Sequence, residues 1–542
     1  MTRNIAHTLS DTAAELGNKT AIVEAAGGRS CSFAELDGSA WRYAAYLQRC
    51  GVQAGDRVIL MVKPSIDFIA LTFALFRIGA PVILIDPGMG YKNLLRCIEQ
   101  VKPDYLIGIP AVVMLSHVFR GKFRHVKKRF CCGTVGGLPF FDIRKRIDSM
   151  TGFGEAFEPD EHSLAAIIFT TGSTGPPKGV RFEHAIFSAQ LEKIRSYYKI
   201  DSRDVDQPGF PLFALFSTSL GARAVIPDMD PTKPARVDPE KFIASIIKHG
   251  VTYSFGSPAI WNVVTKHCVE NGINLETLQK VLMAGAPVNG ALIDDVYRMI
   301  APGGKVYTPY GATESLPIVS IEGREVVAET WAATMDGKGT CVGRPLPGVT
   351  VKVIQAVDGQ LAGYDQCREM PPFDIGEIIV QGDVVTRAYD NSEDHNRQSK
   401  IADGTGFWHR IGDVGYFDDK GRLWFCGRKA HRVFTAEGIM YTICCEAVTN
   451  AHQAVFRSAL VGLPEPDGYQ RPVMIVELNP GANAAAEAIG EELKTLCKKH
   501  SLTERIEHIL VHESFPVDIR HNAKIFREKL AVWAQQQLTE KG

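Results

Sequence analysis

Among its 12 cysteines the sequence has no Cys-x-x-Cys pair, and the thiols are scattered, with Cys131-Cys132 and Cys444-Cys445 as neighbours. That spacing excludes a zinc ribbon and a disulfide scaffold, so buried free thiols are expected. Neither sign of charge is in excess: 60 Lys and Arg stand against 61 Asp and Glu. A net charge of -1 supplies no global field of the kind that recruits nucleic acid, and a nucleic-acid binder is disfavoured. A long apolar run is missing too. The most apolar stretch, Phe68 to Phe76, is broken by Arg77 and Pro81, well short of a bilayer span, and the first residues carry no apolar signal core. A soluble, cytoplasmic protein with no transmembrane segment is expected.

What is present is a chain of 542 residues, 45% hydrophobic and 22% charged, which is ordinary globular usage. At about 150 residues per domain it is too long for one core and calls for three or four compact units. Apolar residues at Phe33, Leu36, Tyr43, Ala44 and Leu47 have helical spacing, and the short run Arg57 to Val62 after them reads as a buried strand. The alternation continues: Ile66 to Ile78 and Lys92 to Val101 as helices, Pro81 to Ile85 and Tyr105 to Ile109 as strands. Further strands are expected at Leu164 to Thr170, Thr252 to Gly256, Val281 to Ala284 and Val306 to Pro309. Such alternation implies parallel sheets covered by helices on both faces, with ligands at the carboxyl ends of the strands.

After about Gly343 the texture changes to short strands, at Val351 to Ile354, Glu377 to Val380 and Leu423 to Cys426, which predicts a β-rich subdomain. The polar stretch Asn391 to Gly406 reads as an exposed loop. A second mixed unit follows Arg428, with strands at Ala459 to Gly462 and Pro472 to Leu478. The basic run Lys122 to Phe130 offers a membrane or partner patch as one reading and a solvated helix-to-loop segment as the favoured one.

The chemistry concentrates in Phe169-Thr-Thr-Gly-Ser-Thr-Gly-Pro-Pro-Lys-Gly179, directly after the strand-like Leu164 to Ile168. Glycines and hydroxyls at a strand's end let backbone N–H groups approach phosphate oxygens closely, and Lys178 supplies charge. The order Lys-Gly followed by Val180 is not the Gly-Lys-Ser/Thr of a Walker A loop, so a kinase or GTPase is disfavoured.

This segment resembles the phosphate loop of the adenylate-forming superfamily of acyl-CoA synthetases, peptide-synthetase adenylation domains and beetle luciferases. The resemblance extends over nearly the whole chain. Tyr310-Gly-Ala-Thr-Glu314, Gly285-Ala-Pro287, Asp413 in Ile-Gly-Asp-Val-Gly-Tyr416, Arg428 in Phe-Cys-Gly-Arg428 and Lys524 in His521-Asn-Ala-Lys524 follow in the family's order. It implies an α/β fold: a large N-terminal lobe of two α/β/α subdomains plus a β-rich subdomain (residues 1–428, the β-rich part from about 343), joined by a hinge to a small α+β C-terminal lobe (429–542). It implies ATP and Mg²⁺ as cofactors. Lys524, Thr170, Thr313 and Glu314 become the catalytic residues, with Glu314 and Thr170 toward the metal. Thr171, Gly172, Ser173, Thr174, Gly175, Lys178, Gly285, Ala286, Pro287, Tyr310, Gly311, Asp413 and Arg428 become the nucleotide-binding set.

Two departures narrow the resemblance. Where many acyl-CoA synthetases carry Pro-Leu-Phe-His, the chain reads Pro211-Leu-Phe-Ala-Leu-Phe216, and Ala214 in place of the aromatic gate would leave room for a bulky acyl group. The hinge that usually reads Gly-Arg-x-x-Asp-x-x-Lys becomes Gly427-Arg-Lys-Ala-His-Arg-Val-Phe434, without the acid and the lysine. With Val225 to Thr232, Phe255 to Ala259, Leu423 to Arg428 and Phe515 to Ile525, these features are similar to the olefin β-lactone synthetases of bacterial long-chain olefin biosynthesis. That likeness implies a 2-alkyl-3-hydroxy fatty acid substrate, adenylated and then closed by its own 3-hydroxyl. It also implies a complex with a thiolase-like enzyme, a reductase and a hydrolase-like enzyme. For the hydroxyl proton, His431 and the departing phosphate are both candidates, and a packing role for His431 stands beside them. An acyl-CoA or acyl-carrier ligase is the alternative reading, and a non-catalytic acyl binder a third.

Overall fold

The computed structural model describes residues 3–134, 142–150, 156–170, 176–479, 481–482, 486–518 and 524–541. The first half builds two sheets around one shared helix. A six-stranded sheet runs Lys128–Cys131, Tyr105–Gly108, Val58–Met61, Val82–Leu84, Leu164–Phe169 and Gly179–Glu183, parallel except for the last strand. A seven-stranded sheet runs Lys305–Tyr307, Lys280–Met283, Tyr253–Gly256, Val205–Asp206, Arg223–Ile226, Thr20–Glu24 and Ser30–Ser32, again parallel but for its final strand. Helix Ile66–Ile78 starts where Ser65 Oγ accepts from Phe68 N–H at 3.1 Å and stops at Gly79, whose φ of 76° only glycine adopts without strain. All its residues but Asp67 are buried. Its apolar circumference is explained by its place: one core joins it to Ile22 and Ala224 of one sheet and to Val58, Val82 and Ala166 of the other.

The β-rich unit is an antiparallel eight-stranded sheet from Tyr310–Ala312 through Ser315–Ser320, Thr340–Pro345, Leu423–Arg428, Gly406–Phe417 and Gly376–Gly382 to Val349–Ile354, with Lys400–Asp403 paired on Gly406–Phe417. Past Arg428 a small unit follows. Its three-stranded sheet, Val455–Pro464, Gln470–Leu478 and His508–Val511, carries helices Thr442–Asn450, Ala486–Lys498 and Arg527–Lys541. The α/β class, with a large N-terminal and a small C-terminal part, is the one expected from the sequence. All twelve cysteines are free and nine are buried. Among the described residues no helix is long and apolar enough to cross a membrane.

Two local expectations are corrected. Asn391 to Gly406 is not a loop: it holds helix Glu393–Ser399 and strand Lys400–Asp403. The helix is polar all round and so carries no periodic signal, while Ile401 is wholly buried against Trp408. The basic run Lys122 to Phe130 ends in the edge strand Lys128–Cys131 rather than in a helix-to-loop segment: Lys128 is exposed, while Phe130 and Cys131 are buried and the strand pairs in parallel with Tyr105–Gly108.

Candidate active site

The glycine- and hydroxyl-rich segment connects the antiparallel strands Leu164–Phe169 and Gly179–Glu183. Its neck is closed by two bonds: Thr170 N–H donates to Lys178 O at 2.9 Å, and Lys178 N–H donates to Thr170 Oγ1 at 3.2 Å. Thr171, Gly172, Ser173, Thr174 and Gly175 lie outside the described residues. Lys178 Nζ stands 5.3 Å over the ring of Tyr389. Burial pulls its pKa down, Glu314 holds it up and Arg428 pushes it further down.

Across the cavity, Tyr310 donates its hydroxyl to Asp413 Oδ2 at 2.6 Å, and Arg428 Nη1 lies 2.9 Å from Asp413 Oδ1. Strand register puts them there: Asp413 faces Arg428 directly in the antiparallel pair. The carboxylate holds the guanidinium pKa above its usual value. Glu314 accepts from Tyr389 OH at 2.7 Å through Oε1. Tyr389 was not legible in the sequence. It is held because residues 388–390 lie along strand Gly179–Glu183, with Arg181 N–H donating to Ala388 O at 3.1 Å and Asp390 N–H to Gly179 O at 2.7 Å. Buried Asp390 also takes both guanidinium nitrogens of Arg57 at 2.9 and 2.8 Å.

The C-terminal part contributes Lys524, His431, Glu446 and Arg527 to the same space. Lys524 is fixed by its backbone: its N–H donates to Asp518 Oδ1 at 3.1 Å and its carbonyl accepts from Asp518 N–H at 3.0 Å. Its charge is felt by Asp413 across the lobes. Glu446 and Arg527 form a buried two-pronged pair at 2.7 and 2.8 Å. Burial pushes the His431 imidazole down to about 3, with Arg527 and Arg428 adding repulsion. It is therefore neutral at physiological pH, and both ring nitrogens lack a hydrogen-bond partner among the described residues. Glu528 Oε1 stands 3.5 Å from Nε2.

One cavity of about 890 Å³ unites these groups. Thr170, Lys178, Gly285, Ala286, Pro287, Tyr310, Gly311, Thr313, Glu314, Asp413, Arg428 and Lys524 all line it. Its apolar arm is walled by Phe213, Phe216, Phe255 and Leu316, with Phe213 stacked on Phe255 at a ring separation of 3.9 Å. Here the sequence reading is corrected: Ala214 does not face the cavity. Phe213 and Phe216, three residues apart, point into it, while Ala214 is wholly buried in the helix-centred core.

Behind this aromatic wall lies a second, apolar chamber of about 40 Å³ reached by Asp206, Ser217 and Tyr253. Asp206 is buried, accepts from Ser217 Oγ, and has its other oxygen unpartnered among the described residues. Burial pushes its carboxyl up to about 8. Between about pH 4 and this value the folded chain holds one proton more than the unfolded chain, so stability falls as pH rises, by up to about 1.4 kcal/mol per pH unit. Asp206→Asn should remove that slope. Denaturant midpoints of variant and wild type should diverge between about pH 5 and about pH 8, the variant gaining, and parallel profiles would refute a protonated Asp206.

The donor set fits a nucleotide with Mg²⁺. No cluster of three or more His, Cys, Asp or Glu among the described residues could cage a metal. Glu314, whose carboxylate shares the cavity with Thr170 and Lys178, suits Mg²⁺, which binds through one or two carboxylates and its substrate's phosphates. Gly285, at φ 96°, turns the Gly285-Ala-Pro287 edge toward the cavity.

A family model described as AMP-binding enzyme matches residues 9–390. The chain is 41% identical over 517 residues to an olefin beta-lactone synthetase of Xanthomonas campestris pv. campestris, covering 93% of this chain and 91% of that one. It is 42% identical over 519 residues to one of Stenotrophomonas maltophilia, covering 94% and 92%. A long-chain-fatty-acid–CoA ligase of Thermus thermophilus is 24% identical over 480 residues, covering 85% and 83%. Among solved structures, ATP-bound MatB from Rhodopseudomonas palustris superposes with a TM-score of 0.80 at 20% identity over 98% of this chain and 99% of that one, a likeness of fold.

Proposed function

We propose that this chain, which belongs to the AMP-binding enzyme family and within it stands with the olefin β-lactone synthetases, activates a 2-alkyl-3-hydroxyalkanoic acid with ATP and closes it to a β-lactone. The observation that carries the reading is the identity of 41% and 42% to β-lactone synthetases over more than nine-tenths of the chain, against 24% to a CoA ligase.

In the first step a carboxylate oxygen attacks the α-phosphorus and pyrophosphate leaves. Two anions must meet, so the cavity needs cations and fixed donors where charge accumulates. Lys178 and the Thr170 neck serve the phosphates, Lys524 and Thr313 the reacting oxygens, and Tyr310, Asp413 and the Gly285 turn the nucleoside. Glu314, oriented by Tyr389, would hold Mg²⁺, which when bound offsets phosphate charge. In the second step the 3-hydroxyl oxygen attacks the acyl carbon, the ring closes and AMP leaves; the proton passes to His431 or to the departing phosphate. A tethered nucleophile reacts at high effective concentration once the apolar arm holds the chains folded. Lys524 and His431 belong to the small lobe and the other groups to the large one, so the site is completed by closure about a hinge near Arg428, dividing the chain at 1–428 and 429–542. A thiolase-like enzyme and a reductase would supply the hydroxy acid and a hydrolase-like enzyme would consume the lactone, in one cytoplasmic assembly.

Given ATP, Mg²⁺ and a defined 2-alkyl-3-hydroxyalkanoate without CoA, the enzyme should release AMP, pyrophosphate and a 3,4-dialkyl-oxetan-2-one. The carbonyl stretch and ring-proton NMR signals identify the ring. A product that requires CoA and is a stable thioester would replace this reading with the acyl-CoA ligase.

A further inference from the structure

Helix Pro110–Val118 meets solvent mainly through apolar residues, Ala111, Met114 and Val118, with His117 the one exposed polar side chain. It contains no Lys, Arg, Asp or Glu, and only Ser116 is buried. Met114 and Val118 are 62% and 75% exposed, and Phe119 immediately after is 40% exposed. With exposed Ala111, Met114 and Val118 fall on one outward face at helical spacing. This is a held surface rather than a loose one. Phe123 and Val126 in the following turn are buried in the core under the six-stranded sheet, and Arg129 Nε donates to Ser116 Oγ at 2.9 Å, tying the edge strand to the helix.

Cations rim the apolar tip. The local acids are already engaged: Glu99 with Lys122 at 2.6 Å, and Asp56 and Asp104 with Lys127 at 3.1 and 3.0 Å. Arg120, Arg124 and Lys128 are exposed and form no ion pair with any described residue. Lys92 and Arg96, on the outer face of helix Tyr91–Val101 that carries Glu99, likewise stand exposed and unpaired among the described residues. A nucleic acid would leave the exposed Met, Val and Phe unused. A second copy of the chain would bring like charges together.

We propose that this face docks the enzyme reversibly on an anionic membrane surface, with Met114, Val118 and Phe119 entering the headgroup layer and the basic rim facing lipid phosphates. The docking is read from the surface alone. Its purpose rests on the proposed function: a hydroxy acid with two alkyl chains is an amphiphile that partitions into bilayers, and a docked enzyme meets it there.

The test is sedimentation of the full-length chain, without substrate or nucleotide, with phosphatidylcholine vesicles containing about a third phosphatidylglycerol. Binding should be at least about tenfold stronger than to pure phosphatidylcholine and should collapse at about 0.5 M salt. The triple variant R120E/R124E/K128E should bind about a hundredfold more weakly, and M114E/V118E should lose binding at any salt. The control V532E, which places the same charge at an exposed valine on the last helix of the small lobe, should change nothing. No binding by the wild type, unchanged binding by both variants, or a self-associated dimer abolished by M114E/V118E would overturn the proposal. Lactone formation, measured separately on detergent-dispersed substrate, should be normal in both variants, so failure of docking and failure of the proposed reaction are distinguishable.

Discussion

Lys524→Ala should lower the rate of adenylate formation by about 10²–10³ while leaving the fold intact, since loss of one preorganised charge at a developing anion has costs of this order. The fold should survive because the anchors of this segment are not the side chain. Lys524 is held by its own N–H and carbonyl against Asp518, and the neighbouring Ile525 is buried in the core of the small lobe. ATP–pyrophosphate exchange checks the first step. A chemically prepared acyl-adenylate, which bypasses that step, should still release AMP from the variant far better than the whole reaction runs. Wild-type exchange in the variant would remove Lys524 from the mechanism, and equal loss on the preformed adenylate would assign it to ring closure instead.

The parallel strands of the two large sheets were legible because they are buried on both faces: Val58-Ile-Leu-Met61 and Tyr105-Leu-Ile-Gly108 are apolar without alternation. The candidate site was legible where backbone conformation or fixed chemistry restricts residue choice, as at Gly285 and the Tyr310-Gly-Ala-Thr-Glu314 turn, which line the same cavity. Tyr389 was not. Its hydroxyl meets Glu314 only because residues 388–390 add onto a strand about 200 positions earlier in the chain, and nothing local marks that pairing. The direction of Ala214 was misread for a related reason. A motif position fixes which residue stands in a helix, whereas the packing of that helix on the core decides that Phe213 and Phe216, and not Ala214, wall the acyl arm. The helix at Glu393–Ser399 shows the converse: a polar segment leaves no periodicity to read, yet its Asn396 holds Tyr389 by exchanging two hydrogen bonds with that residue's backbone at 2.7 and 3.2 Å.

A substrate analogue without the 3-hydroxyl should separate the two half-reactions more sharply than any substitution in the protein. A 2-alkylalkanoate presents the same carboxylate to Lys524 and the same chains to Phe213, Phe216 and Phe255, so ATP–pyrophosphate exchange should persist within about tenfold of the hydroxy acid, the hydroxyl contributing little to activation. Steady AMP release should fall by about 10³ or more. Intramolecular attack enjoys effective concentrations of about 10⁵–10⁸ M, and the analogue has only water to replace it, beside an arm walled by Phe213, Phe216 and Phe255. The acyl-adenylate should therefore accumulate on the enzyme in near-stoichiometric amount and be recoverable by acid quench. CoA added to that stalled complex gives the decisive comparison. Release of an acyl thioester at the rate seen for the hydroxy acid would mean that an enzyme with the rewritten hinge Gly427 to Phe434 still admits an external thiol, whereas a complex that stays stalled ties turnover to the substrate's own hydroxyl.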